Sequence, residues 1–101
     1  MLSHDVYFTL NDPTDDAKQA MIAASQALLT DHPGTVFFGV GTLEESLNRP
    51  VNDLDFHIAL HVVFEDKVAH DVYQVSDRHQ QFIAENKDKW AQVRVFDSVV
   101  S

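Results

Sequence analysis

Three side chains in this sequence have the chemistry for moving protons on a small organic molecule: His4, Tyr73 and His79. An imidazole changes its charge near neutral pH, and a phenol can donate or accept a hydrogen bond at a carbonyl or enol oxygen. Together these groups could exchange protons with a bound ligand without any cofactor. We therefore take the three residues as the candidate catalytic site, provided that the fold brings them together.

His4 is carried by the first predicted strand, Leu2–Leu10. Side chains alternate between the two faces of a strand, so His4 shares its face with Val6 and Phe8. This apolar row is expected to pack against helices. Apolar neighbours exclude water and strengthen any polar contact that His4 makes there.

Tyr73 and His79 lie on either side of a break between two predicted helical segments, Glu65–Val75 and about Asp77–Asn86. Because of this break, both side chains can face the sheet above the start of the first strand. Two interpretations stay open. The three residues form the polar floor of an apolar small-molecule pocket, or they are hydrogen-bonded core residues that stabilise the helix–sheet interface.

The remaining segments alternate between strand and helix patterns. A first helix is predicted to be capped by Asp12, with Pro13 at its first position, and to run to about Leu29. Further strands are predicted at Thr35–Val40, Asp53–Phe64 and Trp90–Val100. A polar connection, Gly41–Asn52, is predicted to contain a helical turn near Leu43–Leu47. The resulting β-α-β-β-α-β order predicts a ferredoxin-like α+β fold with a four-stranded antiparallel sheet. A length of 101 residues suits one domain, residues 1–101.

In such a fold the helices cover only one face of the sheet. The other face carries Phe37 and Val63, which are too apolar to remain in water, together with His57 and His61. A second copy of the chain is therefore expected to cover it, which predicts a homodimer. His32 and His70, by contrast, are expected to be exposed.

Charge and composition exclude several classes of partner. The net charge is −9, and the seven basic residues are scattered, so nucleic acids and anionic membranes are not expected to bind. No apolar stretch approaches the roughly 20 residues that cross a bilayer, and the start lacks a secretory pattern, so we expect a cytoplasmic protein.

No cofactor or metal site is predicted. The chain has no cysteine, which excludes thiolate catalysis and cysteine-ligated metals. His57 and His61 are four residues apart on one strand, about 13 Å, which is too far for both to ligate one ion from a single chain. The symmetry of a dimer could bring copies of them together, but we expect them to be polar residues of a wet interface. A glycine-rich phosphate loop is also absent.

Several features spread over nearly the whole chain resemble one known family in their order and spacing. They are His4 on the first strand, Pro33-Gly34 before the second, Phe64-Glu65 at the end of the third, Tyr73 nine residues after Phe64, His79 six residues after Tyr73, and a closing Val95-Phe96-Asp97. The family is that of the stress-responsive dimeric α/β-barrel (Dabb) proteins.

This resemblance implies a homodimer whose two sheets pack face to face into a barrel. For members of the olivetolic acid cyclase type it implies His79 as the base, held by His4 or a backbone group, with Tyr73 orienting the substrate. Two positions differ from the family pattern. Ser76-Asp77-Arg78 precedes His79 where many members have His-Pro, and Ile58 stands where the cyclases have a further histidine.

The leading functional hypothesis is a homodimeric protein that binds a small apolar or carbonyl-containing ligand, with a cofactor-free cyclase or lyase-type activity as its enzymatic form. A non-catalytic, stress-related structural dimer is the first alternative. A cofactor-independent oxygenase, by fold analogy, is the second. A cavity of a few hundred Å³ beside Tyr73 would favour the first hypothesis, and tight packing there the structural dimer.

Overall fold

The computed structural model describes residues 1–101 and has the predicted ferredoxin-like α+β architecture. Its elements are β1 (Leu2–Leu10), α1 (Asp15–Leu28), β2 (Thr35–Thr42), β3 (Ile58–Phe64), α2 (Lys67–Val75), α3 (Asp77–Asn86), a short 3₁₀ turn (Lys87–Lys89) and β4 (Trp90–Val99). The strands form one antiparallel sheet in the order β2-β3-β1-β4. None of the three α-helices has both the length and the apolar character of a membrane span.

The core lies between the helices and one face of the sheet. On β1 and β3, alternate side chains are buried, as the period of a strand requires. From the helix side, Met21, Tyr73 and Phe82 pack onto these rows. The ring of Trp90 at the start of β4 lies 4.8 Å from that of Phe8. The predicted inward row of β1 is therefore the floor of the core.

The opposite face of the sheet is also apolar, but its large side chains are exposed. Phe37 lies opposite Val63 in the β2–β3 ladder, and Tyr7 lies opposite Ala59 in the β1–β3 ladder. Phe37 is 55% exposed and Phe96 on β4 is 53% exposed. Within one chain, this open face is left without an apolar partner.

The first helix begins two residues later than predicted, because Thr14 and not Asp12 caps it. The Thr14 hydroxyl accepts a hydrogen bond from the Ala17 amide at 3.1 Å, and the extended backbone of Thr14 aims the hydroxyl at that free amide. Asp15 and Asp16 occupy the first turn, where negative charge suits the helix dipole.

The third strand begins at Ile58, so the predicted start at Asp53 is wrong. The Asp53 carboxylate accepts hydrogen bonds from the amide two residues later (2.9 Å) and from the Arg94 guanidinium (2.6 Å). The amide of Leu10, at the end of β1, donates to the His57 ring at 2.9 Å. These side chains take the place of strand-to-strand bonds, which ends the ladder before it reaches residue 53.

The predicted helical turn near Leu43–Leu47 is also absent, and the connection forms only local turns. The Glu44 carboxylate accepts hydrogen bonds from both the amide (3.2 Å) and the hydroxyl (2.5 Å) of Ser46. Such side-chain bonds compete with the backbone bonds of a helix, which explains the irregular path.

A substitution at Gly34 tests whether the turn before β2 requires a glycine. Its φ is +82°, and an added Cβ would lie 2.5 Å from the Cβ of Ala69 on α2. We expect Gly34→Ala to lower the free energy of unfolding by about 1–3 kcal/mol, because the substitution adds both strain and a clash. Gly41→Ala is the matched control, since nothing lies within 4 Å of its added Cβ. Urea denaturation measures both, and equal losses would show that neither the positive φ of Gly34 nor its contact with Ala69 fixes the turn.

Candidate functional site

The structure brings His4, Tyr73 and His79 together between the helices and the sheet. The ring of Tyr73 on α2 lies 4.8 Å from that of His79 on α3 and 6.0 Å from that of His4 on β1. Both contacts are edge-on. Tyr73 and His4 are buried, and His79 is half-buried. Their spatial grouping is thus in place, while their catalytic role stays a prediction.

Ser76 sets the geometry between Tyr73 and His79. It is the C-cap residue of α2 and the N-cap residue of α3. Its hydroxyl donates to the Tyr73 carbonyl at 2.8 Å and accepts from the His79 amide at 3.2 Å. A single serine therefore joins the two backbones, and the six-residue spacing places both rings on the sheet side.

Two further histidines belong to this cluster, and the prediction that they are exposed is wrong. His32 is buried, with its ring 5.0 Å from that of Tyr73, and the ring of the half-buried His70 lies 4.9 Å from that of His4. The position of His70 could have been predicted from the sequence, because it precedes Tyr73 by three residues and so lies on the same face of the helix. His32 lies in the turn after α1, where no periodic pattern applies.

Asp97 holds the ring of His4. The β1–β4 register places the two residues opposite each other, and His4 Nδ1 lies 2.5 Å from Asp97 Oδ1. Burying an imidazole in an apolar row is costly unless it is hydrogen-bonded, and this carboxylate supplies the bond. Periodicity within β1 alone could not indicate Asp97, because the pairing joins residues from the two ends of the chain.

Gln74 links the two histidines on the other edge of their rings. Its Nε2 lies 3.4 Å from His4 Nε2 and 3.4 Å from His70 Nε2. His70 Nδ1 in turn lies 3.0 Å from Asp71 Oδ1. A polar chain therefore runs from Asp97 through His4, Gln74 and His70 to Asp71. It fits imidazoles that donate from Nδ1 to a carboxylate and accept at Nε2 from the amide.

The protonation states of Tyr73 and His79 follow from their surroundings. Burial raises the pKa of the Tyr73 hydroxyl far above its ordinary value, so the phenol keeps its proton. Burial lowers the pKa of His79, and the proximity of His4, His32 and His70, whose protonated forms would repel a second positive charge, lowers it further. At neutral pH the pair is a neutral imidazole beside a protonated phenol, which are a proton acceptor and a hydrogen-bond donor.

The polar ends of this pair have no partner within the protein. The His79 backbone amide is bonded to Ser76, but neither its ring nitrogens nor the Tyr73 hydroxyl forms a hydrogen bond to another protein group. These groups are therefore free to bind a polar atom of a ligand.

The two principal clefts of the molecule do not adjoin Tyr73, whose side chain is 1% exposed. The larger, about 430 Å³, lies on the open face of the sheet against the β2–β3 connection. Tyr7, Phe96 and Arg94 line it. The second, about 390 Å³, lies between the same connection and the start of α1. The long connection thus forms the walls of both clefts, whereas the histidine cluster is closely packed.

Comparison with solved structures shows how widely this fold is shared. A dimeric ferredoxin-like protein of unknown function from Thermobifida fusca has a TM-score of 0.79 at 17% identity, covering 98% of this chain and 90% of the other. Hydroxynitrile lyase from Passiflora edulis has a TM-score of 0.77 at 16% identity, covering 99% of this chain and 93% of the other. A putative antibiotic biosynthesis monooxygenase from Chloroflexus aurantiacus has a TM-score of 0.73 at 17% identity, covering 100% of this chain and 94% of the other. At these identities the likeness shows the fold alone.

Sequence comparison is more specific. No curated protein matches the chain. The family model of the stress responsive A/B barrel domain, Dabb, however, matches residues 2–100. This match covers the strand that carries His4, the two helices that carry Tyr73 and His79, and the strand that carries Asp97. The chain is therefore a member of the stress-responsive α/β-barrel (Dabb) family.

Proposed function

We propose that this Dabb protein is a homodimer that binds a small carbonyl-containing ligand and transfers protons on it without a cofactor. His79, Tyr73 and His4 carry the proposed activity. The observation that supports it most directly is the pairing of His79 and Tyr73. A neutral imidazole lies against a protonated phenol, and neither polar end is bonded to the protein.

In the proposed reaction His79 is the general base. Its free ring nitrogen accepts a proton from the carbon next to the ligand carbonyl in a cyclase-type reaction, or from a ligand hydroxyl in a lyase-type reaction. Tyr73 donates a hydrogen bond to the oxygen on which negative charge develops. In the cyclase-type reaction the resulting enolate carbon bonds to a second carbonyl carbon of the ligand, and the protonated His79 gives its proton to the alkoxide so formed. In the lyase-type reaction the deprotonated hydroxyl becomes a carbonyl as its carbon releases the leaving group, which takes the proton from His79. His4, fixed by Asp97, is a positioning residue that holds the edge of the Tyr73 ring.

Ligand entry would require the helices to move. Tyr73 is only 1% exposed, and Ser76 is the junction at which α2 ends and α3 begins. Opening at this junction would expose the Tyr73 hydroxyl and the His79 ring together.

The homodimer is supported by the open face of the sheet. Phe37 and Phe96 are large, apolar and more than half exposed there. A fold neighbour of the same topology is described as dimeric. A second sheet packed on this face would bury both phenylalanines and enclose the 430 Å³ cleft beside Tyr7.

A non-catalytic structural dimer is the second candidate. The observation in its favour is the close packing around Tyr73, together with the position of both principal clefts away from it. In this case the histidine cluster only stabilises the interface between helices and sheet. The oxygenase alternative rests on fold likeness to the monooxygenase-like neighbour, and the geometry adds no separate observation for it.

Proton exchange tests the proposed activity directly. We expect the wild-type protein in D₂O to accelerate deuterium incorporation next to the carbonyl of at least one compound in a panel of small cyclic and aromatic ketones, followed by NMR. His79→Gln should reduce this rate by about 10²–10⁴-fold, because it removes the base. Tyr73→Phe should also slow it while changing stability little, since the hydroxyl has no protein partner.

His57→Gln is the control for exchange, because His57 lies outside the cluster and binds the Leu10 amide. It should keep the wild-type rate. If the structural alternative holds, no compound will exchange faster, and His79→Gln will lower only the stability, by about 1–3 kcal/mol.

Acid should destabilise the protein through His79. Its folded pKa is lowered from the ordinary 6.5, so the fold favours the neutral ring. This contribution is complete above pH 6.5 and is lost as the pH falls below that value through the folded pKa. Urea denaturation at several pH values should show that His79→Gln weakens the fall in unfolding free energy on the acid side. Parallel pH profiles for the two proteins would contradict the assigned shift.

A further inference from the structure

We propose that His4 and His70 bind a divalent transition-metal ion, such as Zn²⁺, through their Nε2 atoms, with the side-chain amide oxygen of Gln74 as a third ligand. The proposal goes beyond the proton-transfer function and does not rest on it, since the two proposals share His4 as a positioning residue but the proposed base, His79, is not a ligand. Histidine is among the preferred ligands of such ions, and Zn²⁺ also accepts oxygen ligands.

The spacing of the ligand atoms supports the site. The amide terminus of Gln74 lies 3.4 Å from His4 Nε2 and 3.4 Å from His70 Nε2. In a tetrahedral zinc site with bonds of about 2.0–2.1 Å, neighbouring ligand atoms are also about 3.4 Å apart. Turning the amide by half a rotation would direct its oxygen to the position of the nitrogen. The ion would then lie among the three atoms.

The outer surroundings of both imidazoles are those of a metal site. His4 Nδ1 is bonded to Asp97 at 2.5 Å, and His70 Nδ1 is bonded to Asp71 at 3.0 Å. Histidines that bind metals usually donate their other ring N–H to a carboxylate or a carbonyl, which aims the free nitrogen and makes it more basic. Here both rings have that partner, so both Nε2 atoms are directed toward Gln74.

Charge and access also favour a cation. One carboxylate oxygen of Asp97 and one nitrogen from each of His4 and His70 lie within 4.8 Å of one another. Negative charge therefore adjoins the proposed position of the ion. The His70 side chain is 15% exposed and that of Asp97 is 44% exposed, so an ion can arrive from solvent.

The pair formed by His61 and Asp5 provides a matched comparison within the same chain. His61 Nδ1 lies 2.6 Å from Asp5 Oδ1, which reproduces the imidazole–carboxylate bond of His4. No second histidine joins His61 in a group of metal-ligating side chains. The convergence of two imidazoles, and not the His–Asp pair alone, therefore distinguishes the proposed site.

Calorimetric titration of the untagged protein with zinc chloride tests the proposal. We expect one ion per chain for the wild type and for His61→Asn. His70→Asn should abolish this binding, and Asp97→Asn should weaken it by about 10–100-fold through loss of the outer partner. Cobalt(II) absorption in the visible range should report tetrahedral coordination in the wild type and not in His70→Asn.

Circular dichroism establishes that each variant is folded, and Gln74→Met provides a second variant of similar volume that should weaken zinc binding. The proposal is overturned if the wild type binds no zinc stoichiometrically, or if His70→Asn and Gln74→Met bind it as the wild type does. His79→Gln separates the two proposals, because it should lose proton exchange and keep zinc binding.

Discussion

A single layer of helices can cover only one face of a four-stranded sheet, and this constraint determines where the other features of the molecule lie. On the covered face, the inward rows of β1 and β3 are almost fully buried against α1, α2 and α3. On the open face, Phe37, Phe96 and Tyr7 have no helix to pack against. The covered face can therefore isolate polar groups from water, and the open face provides apolar area for association.

The polar groups of the candidate site stay on the covered face because each is tied to a partner or lies where a ligand could supply one, whereas Trp90 Nε1 in the same core is buried without a partner. His4 would be unfavourable in an apolar row without Asp97, and Ser76 joins the ends of α2 and α3. With these bonds in place, the same burial that costs free energy keeps His79 neutral and Tyr73 protonated. The burial that packs the helices against the sheet therefore also sets the protonation states of His79 and Tyr73.

Local patterns in the sequence predicted the features that depend on nearby residues. The alternation on β1 placed His4 inward, and the break between the two helical segments placed Tyr73 and His79 on the same side. The same alternation predicted too early a start for β3, because it does not depend on the hydrogen bonds that Asp53 and His57 make with distant residues. Hydrophobic periodicity reports burial, but it does not report hydrogen bonds that end a strand.

The cluster around Tyr73 was predicted only in part for a related reason. Asp97 reaches His4 through the register of two strands from opposite ends of the chain, and His32 enters through a turn in which Asp31 has a φ of +61°. Neither the pairing of two distant strands nor the conformation of this turn can be predicted from the hydrophobic pattern of the sequence. The pairing of His70 with His4, which underlies the proposed metal site, likewise required the three-dimensional arrangement.

We propose that this chain is one half of a two-sheet dimer, with its polar site under the helices and its association surface on the open face. Light scattering at micromolar concentration measures the molecular mass in solution. We expect twice the mass of one chain for the wild type and a single-chain mass for Phe37→Glu. Val72→Glu on α2 is the matched control, because Val72 is 53% exposed against 55% for Phe37, and it should leave the dimer intact. A monomeric wild type, or a Phe37→Glu variant that remains dimeric, would show that the open face does not join two chains.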